Sequence, residues 1–185
     1  GPSHRVGFEG ISIADTTHYE TPLGELAIDA HLVNELKKNF ALPYYPQAHH
    51  EHSTEVQMPF IKYYMPEVHV VELVYAYTNP SALELIIDYC IQQKGTGVVI
   101  STDLSHYHPL AQAERLDSIC LKAIEQNNIP LLHEGCEACG IIGVEAILAI
   151  AQKHHLKSTV LASRPSADAS GHTSRVVGYA SILFS

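Results

Sequence analysis

His49–Phe60, HHEHSTEVQMPF, sets three histidines and two glutamates within seven positions. Neutral imidazole is the commonest protein ligand for metals, and a carboxylate is a frequent companion. The spacing is not a zinc-protease signature, because no histidine stands four residues beyond His50. Position 48 is Ala, which removes the inverted form as well. Glu51, His52 and Glu55 also surround a helix start, where the positive dipole end favours carboxylates. Glu55 therefore reads equally as a first-turn charge, and His49 and His50 as loop residues.

A second polar cluster, Ser101–His108 (STDLSHYH), directly follows the apolar run Gly97–Ser101 (GVVIS). Asp103 and His106 emerge at the end of that run, with Asp103 able to orient an imidazole or to cap a turn. A turn rich in local side-chain hydrogen bonds accounts for the same residues. A third cluster is Cys136–Cys139, CEAC. One CxxC is half of a zinc-ribbon pattern, and it lies too far along the chain for a thioredoxin-type pair. Cys139 before Gly140 opens an apolar helix, whose N-terminus stabilises a thiolate. Cys90 and Cys120 fall at apolar positions inside helices and read as core.

The elements that must position these residues alternate between strand and helix. Gly10–Asp15, Val68–Tyr75, Gly97–Ser101, Ser158–Ala162 and Val176–Phe184 read as strands. Asp29–Phe40 reads as a helix capped by Asp29, with Leu32, Val33, Leu36 and Phe40 on one face. Ser53 can cap a helix through Val56, with Pro59 in its first turns or kinking it. Pro80–Gln93 is a helix closed by Gly95, and Pro109–Asn127 a helix with Leu116, Ile119, Cys120 and Ile124 inward. Gly140–His155 completes the helices. This is an α/β pattern, with a mainly parallel or mixed sheet and helices on both faces, in one domain spanning 1–185. Sites in such sheets gather beyond the carboxyl ends of strands.

Composition narrows the classes. Hydrophobic residues make up 46% and charged residues 17% of the 185, which is globular rather than disordered. A net charge of −9 with no Lys/Arg run argues against nucleic acid as partner. No apolar run approaches the roughly 20 residues of a membrane span, and no secretory leader is visible. Four cysteines do not make a disulfide scaffold, and fit a reducing, cytoplasmic compartment.

Six stretches occur in one order: GPSHRV (Gly1–Val6), YETPLG (Tyr19–Gly24), EHSTEVQMPF (Glu51–Phe60), STDLSHYHP (Ser101–Pro109), ACG (Ala138–Gly140) and SGHTSRVVGYAS (Ser170–Ser181). Together they resemble the Memo family, called AmmeMemoRadiSam system protein B in microbes, over essentially the whole chain. The resemblance implies the fold of class III, LigB-like extradiol dioxygenases, which bind non-haem Fe(II). Motif by motif, it implies His4 and His52 as metal ligands, with Cys139 in place of the dioxygenase carboxylate. It implies His106 in the position of the acid/base.

Glu51, Glu55 and Asp103 are then candidates to orient ligand imidazoles. The metal expected is Fe2+, with Zn2+ or copper as alternatives, since thiolate is a softer ligand than carboxylate. The expected activity is oxidation of a phenolic or aromatic group, on a small molecule or a side chain, with O2. The alternatives are a non-catalytic iron or copper binder or an adaptor, and a purely structural pocket whose histidines only hydrogen-bond. Radical-SAM and AMMECR-type system proteins are the partners the resemblance implies. Relatives begin several tens of residues earlier with a PHAGY-like segment, so the chain is expected to lack the family's N-terminal segment. Either the chain is a fragment of a longer one, or the missing strand leaves an unpaired sheet edge, an association hazard compatible with an oligomer. It would also leave His4 a poorly held ligand.

Overall fold

In the computed structural model, which describes residues 1–185, the apolar run after Gly10 forms strand β1 (Ile11–Ile13), buried throughout. Two largely exposed strands follow, β2 (His18–Thr21) and β3 (Gly24–Ala27), of which β3 buries Leu26. Helix α1 (Ala30–Phe40) starts where expected, and the Asp29 carboxylate accepts the Leu32 N–H at 2.9 Å. Its buried positions are Val33 and Leu36, with Lys37 and Lys38 in the last turn, where cations suit the dipole. A 3-10 turn, Pro46–His49, leads into a single helical turn, α2 (His52–Glu55).

The cap of α2 differs from the expected one. Glu51 holds that position and accepts the Ser53 N–H at 3.1 Å. Ser53 lies inside the turn, and its hydroxyl donates to the Pro2 carbonyl at 2.8 Å. A separate helix, α3 (Met58–Tyr64), carries Pro59 in its first turn, where the missing N–H costs nothing. The expected strand over Val68–Tyr75 shortens to β4 (Leu73–Tyr75).

The chain divides into two compact units, Gly1–Ile86 and Ile87–Ser185. In the first unit, β1 pairs antiparallel with β4, Ile13 opposite Leu73 and Ile11 opposite Tyr75. β2 and β3 form a hairpin in which Thr21 faces Gly24, so Pro22 and Leu23 make the turn. The first residues of the chain are tied down. Gly1 N–H donates to Leu73 O at 2.9 Å, Tyr75 N–H to Gly1 O at 3.0 Å, and Ser3 N–H to Tyr75 O at 2.7 Å. The expectation that His4 would be poorly held is therefore not met.

Helix α4 (Pro80–Ile91) spans the boundary between the units. Beyond it come β5 (His106–His108), α5 (Leu110–Glu125), α6 (Ile129–Leu132) and α7 (Ile141–His154). The chain ends in β6 (Ser158–Pro165), the short α8 (Ala167–Ser170) and β7 (Val176–Phe184). The second unit's sheet has the order β5-β7-β6 and is antiparallel. Its core gathers Leu104, Cys120, Ile124, Leu132, Val144 and Leu148. Asp117 is buried, and it accepts the Ser105 N–H at 2.9 Å. Gly178 leaves room for it, since a Cβ there would stand 1.9 Å from its Oδ2.

The fold is mixed α/β, but the sheet differs from the expected one. The named strands pair antiparallel in three small sheets, and parallel pairing is confined to the bridges Pro2↔Tyr75, Glu9↔Tyr77 and Ile28↔Val70. Short connections explain the β2–β3 and β6–β7 pairs, since a parallel pair needs a crossover of a dozen residues or more, whereas β1–β4 and β5–β7 pair across long intervening segments. The run Gly97–Ser101 joins no ladder. No helix is long and apolar enough to cross a membrane.

The cysteines also differ from expectation. Cys120 and Cys136, 16 residues apart, form a disulfide, leaving Cys90 buried and Cys139 half-buried as free thiols. Cys120 is core as read, but its neighbour is a sulfur delivered by the loop after α6. No local spacing pattern announces such a pair.

Candidate metal centre

The centre of the first unit's site is a buried carboxylate. Glu51 is 2% exposed, held at the cap of α2 by the Ser53 N–H on Oε1. Its Oε2 accepts the His4 backbone N–H at 2.6 Å. Its Oε1 lies 3.0 Å from Nδ1 of His4 and 2.8 Å from Nδ1 of His52. The two imidazoles stand 4.6 Å apart, centroid to centroid, tilted by 33°. Burial pushes the Glu51 carboxyl up, but the His4 backbone N–H, the His4 ring and the Ser53 N–H outweigh it and hold it below the usual carboxylate range.

That geometry sets the His4 tautomer. A carboxylate accepts and does not donate, so the ring nitrogen facing it carries the proton. Nδ1 of His4, hydrogen-bonded to Oε1, is then N–H and its Nε2 is left with a free lone pair, the form that ligates metals, while Nδ1 of His52 stands at ion-pair distance from the same oxygen. His4, Glu51 and His52 each offer a ligand atom within 4.8 Å of the others, so the group could hold a metal ion. Two donor sets are open to it. Glu51 can ligate alongside the imidazoles, as in a two-His, one-carboxylate site, or stand behind them while Nε2 faces the ion. The residues present fit a divalent metal either way.

A cleft of about 500 Å³ lies beside this group, lined by Arg5, Tyr19, Tyr44, His49, Glu51, Glu55 and Glu72 among others. Glu55 is thus placed on the cleft wall. Burial, then Glu72 and Glu55, push the Tyr19 phenol up to about 12, against a hydrogen bond from Thr54. The residues that sequence reasoning left at the margin form the cleft's inner layer. His49 Nδ1 lies 2.8 Å from Glu72 Oε2, and its Nε2 lies 2.9 Å from the Ser12 hydroxyl. Thr54 donates to the other oxygen of Glu72. Glu72 is 3% exposed. The one available signal for it was a glutamate inside the apolar run VHVVELVY.

The second unit gathers the other motif residues. Asp103 N–H donates to Cys139 Sγ at 3.3 Å, Cys139 N–H donates to Asp103 O at 3.2 Å, and the Thr102 hydroxyl lies 3.5 Å from the sulfur. Gly140 permits this approach, because a Cβ there would stand 2.8 Å from Thr102 Cβ. His106 Nε2 lies 3.6 Å from Asp103 Oδ2. Asp103 therefore holds the sulfur through its backbone and sets its carboxylate near the imidazole. His108 pairs with Glu137 at 2.7 Å.

Fold and site together define a mixed α/β protein with a His–Glu–His group able to take a metal ion. A family model described as Memo-like protein matches residues 1–183. The MEMO1 family protein of Metallosphaera sedula is 32% identical over 198 residues, covering 100% of this chain and 70% of that protein. Its counterpart in Desulfurococcus amylolyticus is 30% identical over 197 residues, with the same coverage. That of Pyrobaculum aerophilum is 31% identical over 198 residues, again with 100% and 70% covered. The chain belongs to the Memo-like family.

Proposed function

We propose that the chain is a metal-binding protein with a non-haem iron dioxygenase-like pocket, acting as an oxidoreductase on a phenolic group with O2. The observation that carries the metal reading is the single buried oxygen of Glu51 set against Nδ1 of both His4 and His52. One carboxylate then faces two imidazoles, hydrogen-bonded to His4 and at ion-pair distance from His52. In this reading Glu51 stands behind the ligand imidazoles; Cys139 as a further ligand is what the Memo motifs alone imply. An Fe(II) ion so held would supply open positions for a phenolate and O2.

His106 is the acid/base of the proposal, with Asp103 orienting its ring. A LigB-like relationship, association with radical-SAM and AMMECR-type proteins, and a cytoplasmic setting belong to the same proposal. The Cys120–Cys136 bridge counts against the last of these, since disulfides persist mainly in oxidising compartments.

Anaerobic Fe(II) titration of the wild type and His52→Ala tests the metal reading, and equal binding by the two removes it. Oxygen uptake with catechols and hydroquinones, wild type against His106→Ala, tests the enzyme reading. Metal binding without His106-dependent uptake leaves a non-catalytic metal-binding protein.

A further inference from the structure

Tyr107 follows the proposed acid/base directly and has a backbone that bulky residues avoid. Its φ is +62°, in the left-handed region. Between His106 and His108 the register against β7 slips. His106 faces Val177 and His108 faces Val176, so Tyr107 is the extra residue of a β-bulge. Bulges next to active sites re-aim side chains, and a strained non-glycine residue is retained where its placement matters. Here the result is a phenol ring standing 63% exposed and edge-on to the His106 imidazole, with centroids 5.8 Å apart.

The Arg175 guanidinium lies over that ring, 5.0 Å from its centroid. Arg175 itself is exposed and immediately precedes β7, opposite the bulge. It takes part in none of the chain's ion pairs, whereas Arg164 on the same hairpin is matched to Asp168 at 3.5 Å. Asp103, the nearest anion to His106 along its own segment, is already engaged with that imidazole. A guanidinium stacked on an aromatic face keeps its N–H fork free at the edge, where it suits a carboxylate bidentately. Tyr179, also exposed, is pushed up by burial, then by Asp103 and Tyr107, so it stays a neutral O–H donor at this edge.

We propose that Tyr107 and Arg175 form the recognition edge of the His106 site, and that the ligand they take is an aromatic ring carrying a carboxylate. This rests on His106 being the acid/base of the proposed function, and it narrows the substrate class from phenols to phenolic acids. Arg175 holds the carboxylate, Tyr107 stacks on the ring, and the phenolic hydroxyl is left for His106.

The test is isothermal titration of the full chain, metal-free and Zn2+-loaded, with 4-hydroxybenzoate and its neutral analogue 4-hydroxybenzamide. The acid is expected to bind at least about tenfold tighter than the amide. Arg175→Gln should weaken the acid by about 10- to 100-fold and leave the amide unchanged. Arg175→Lys should keep part of the preference, and Tyr107→Ala should weaken both ligands. Melting curves of each variant show that it folds. Equal affinity for acid and amide overturns the proposal, as does an equal loss of both in Arg175→Gln, or binding of neither by the wild type. Fe(II) titration of the same preparations shows separately whether the metal reading stands or falls.

Discussion

Glu51→Gln isolates the feature on which the metal reading rests. It keeps the side-chain volume and removes one acceptor oxygen and the charge. In the wild type, Oε1 faces Ser53 N, His4 Nδ1 and His52 Nδ1, at 3.1, 3.0 and 2.8 Å, and Oε2 faces His4 N at 2.6 Å. Donors thus surround both oxygens, and glutamine offers only one acceptor. If its amino group takes the Oε1 place, the imidazoles must meet it with lone pairs and carry their protons on Nε2, where the ion would bind. If it takes the Oε2 place, it meets the His4 N–H, which cannot change role. A buried donor left without an acceptor costs about 1–3 kcal/mol.

For a chain of this length each kcal/mol lowers Tm by about 2–4 °C, so metal-free Glu51→Gln should melt about 4–8 °C lower for a mid-range cost. Loss of a ligand imidazole's carboxylate partner weakens metal binding by about 10- to 100-fold. Calorimetric melting and anaerobic Fe(II) or Zn2+ titration at neutral pH read both effects. Unchanged affinity with unchanged Tm would refute the reasoning. A loss well beyond 100-fold would make Glu51 a direct ligand. The pH dependence gives a further check. The Glu51 carboxyl lies below its ordinary range when folded, so as pH falls the unfolded chain takes up this proton first. The contribution is complete above the ordinary carboxylate pKa of about 4.3 and is lost as pH falls through the lowered value. The Tm gap between wild type and Glu51→Gln should close in that window.

Three further substitutions test the fold. Cys120→Ser opens a bridge between residues 16 apart, and chain entropy puts the cost at about 3 kcal/mol; denatured, unreduced wild type should titrate only the thiols of Cys90 and Cys139. Ala41→Gly should stabilise the fold by about 1 kcal/mol in urea melts, because Ala41 ends α1 at φ +52°, which glycine adopts without a Cβ penalty. Tyr19→Phe should flatten the alkaline limb of the stability curve. The Tyr19 phenol is pushed up to about 12, so between pH 10 and 12 the unfolded chain loses its proton first and the wild type weakens more steeply than the variant, in which Cys90 and Tyr179 still titrate.

Features set by neighbours along the chain were the ones legible in advance. Asp29 is an N-cap because a short carboxylate before an amphipathic run has a free N–H within reach, and the helix begins there as read. The strand Val176–Phe184 carries its own β-branched and aromatic pattern, and its bounds match. Gly97–Ser101 has the same local pattern yet joins no ladder, because a strand exists only through a partner and its sequence does not supply one. The disulfide fails to show for the same reason, since its two sulfurs meet only after α5 and α6 pack.

The crowded stretch at His49–Glu55 divides along this line as well. Composition drew attention to it, and the family motif singled out His52, but the division of labour among the rest comes from long-range contacts. Glu51 reaches back 47 residues to His4, while His49 turns the other way, to Glu72 and Ser12. Two neighbouring histidines, 49 and 52, are thus held by two different buried carboxylates, and only the pair on Glu51 brings a second imidazole close enough to share an ion. His49→Gln should accordingly cost stability, by breaking the Glu72 contact, and leave metal affinity within a few fold of wild type, whereas Glu51→Gln changes both. Metal binding lost equally in the two variants would mean that the Glu72 layer, and not the Glu51 oxygen, sets the site.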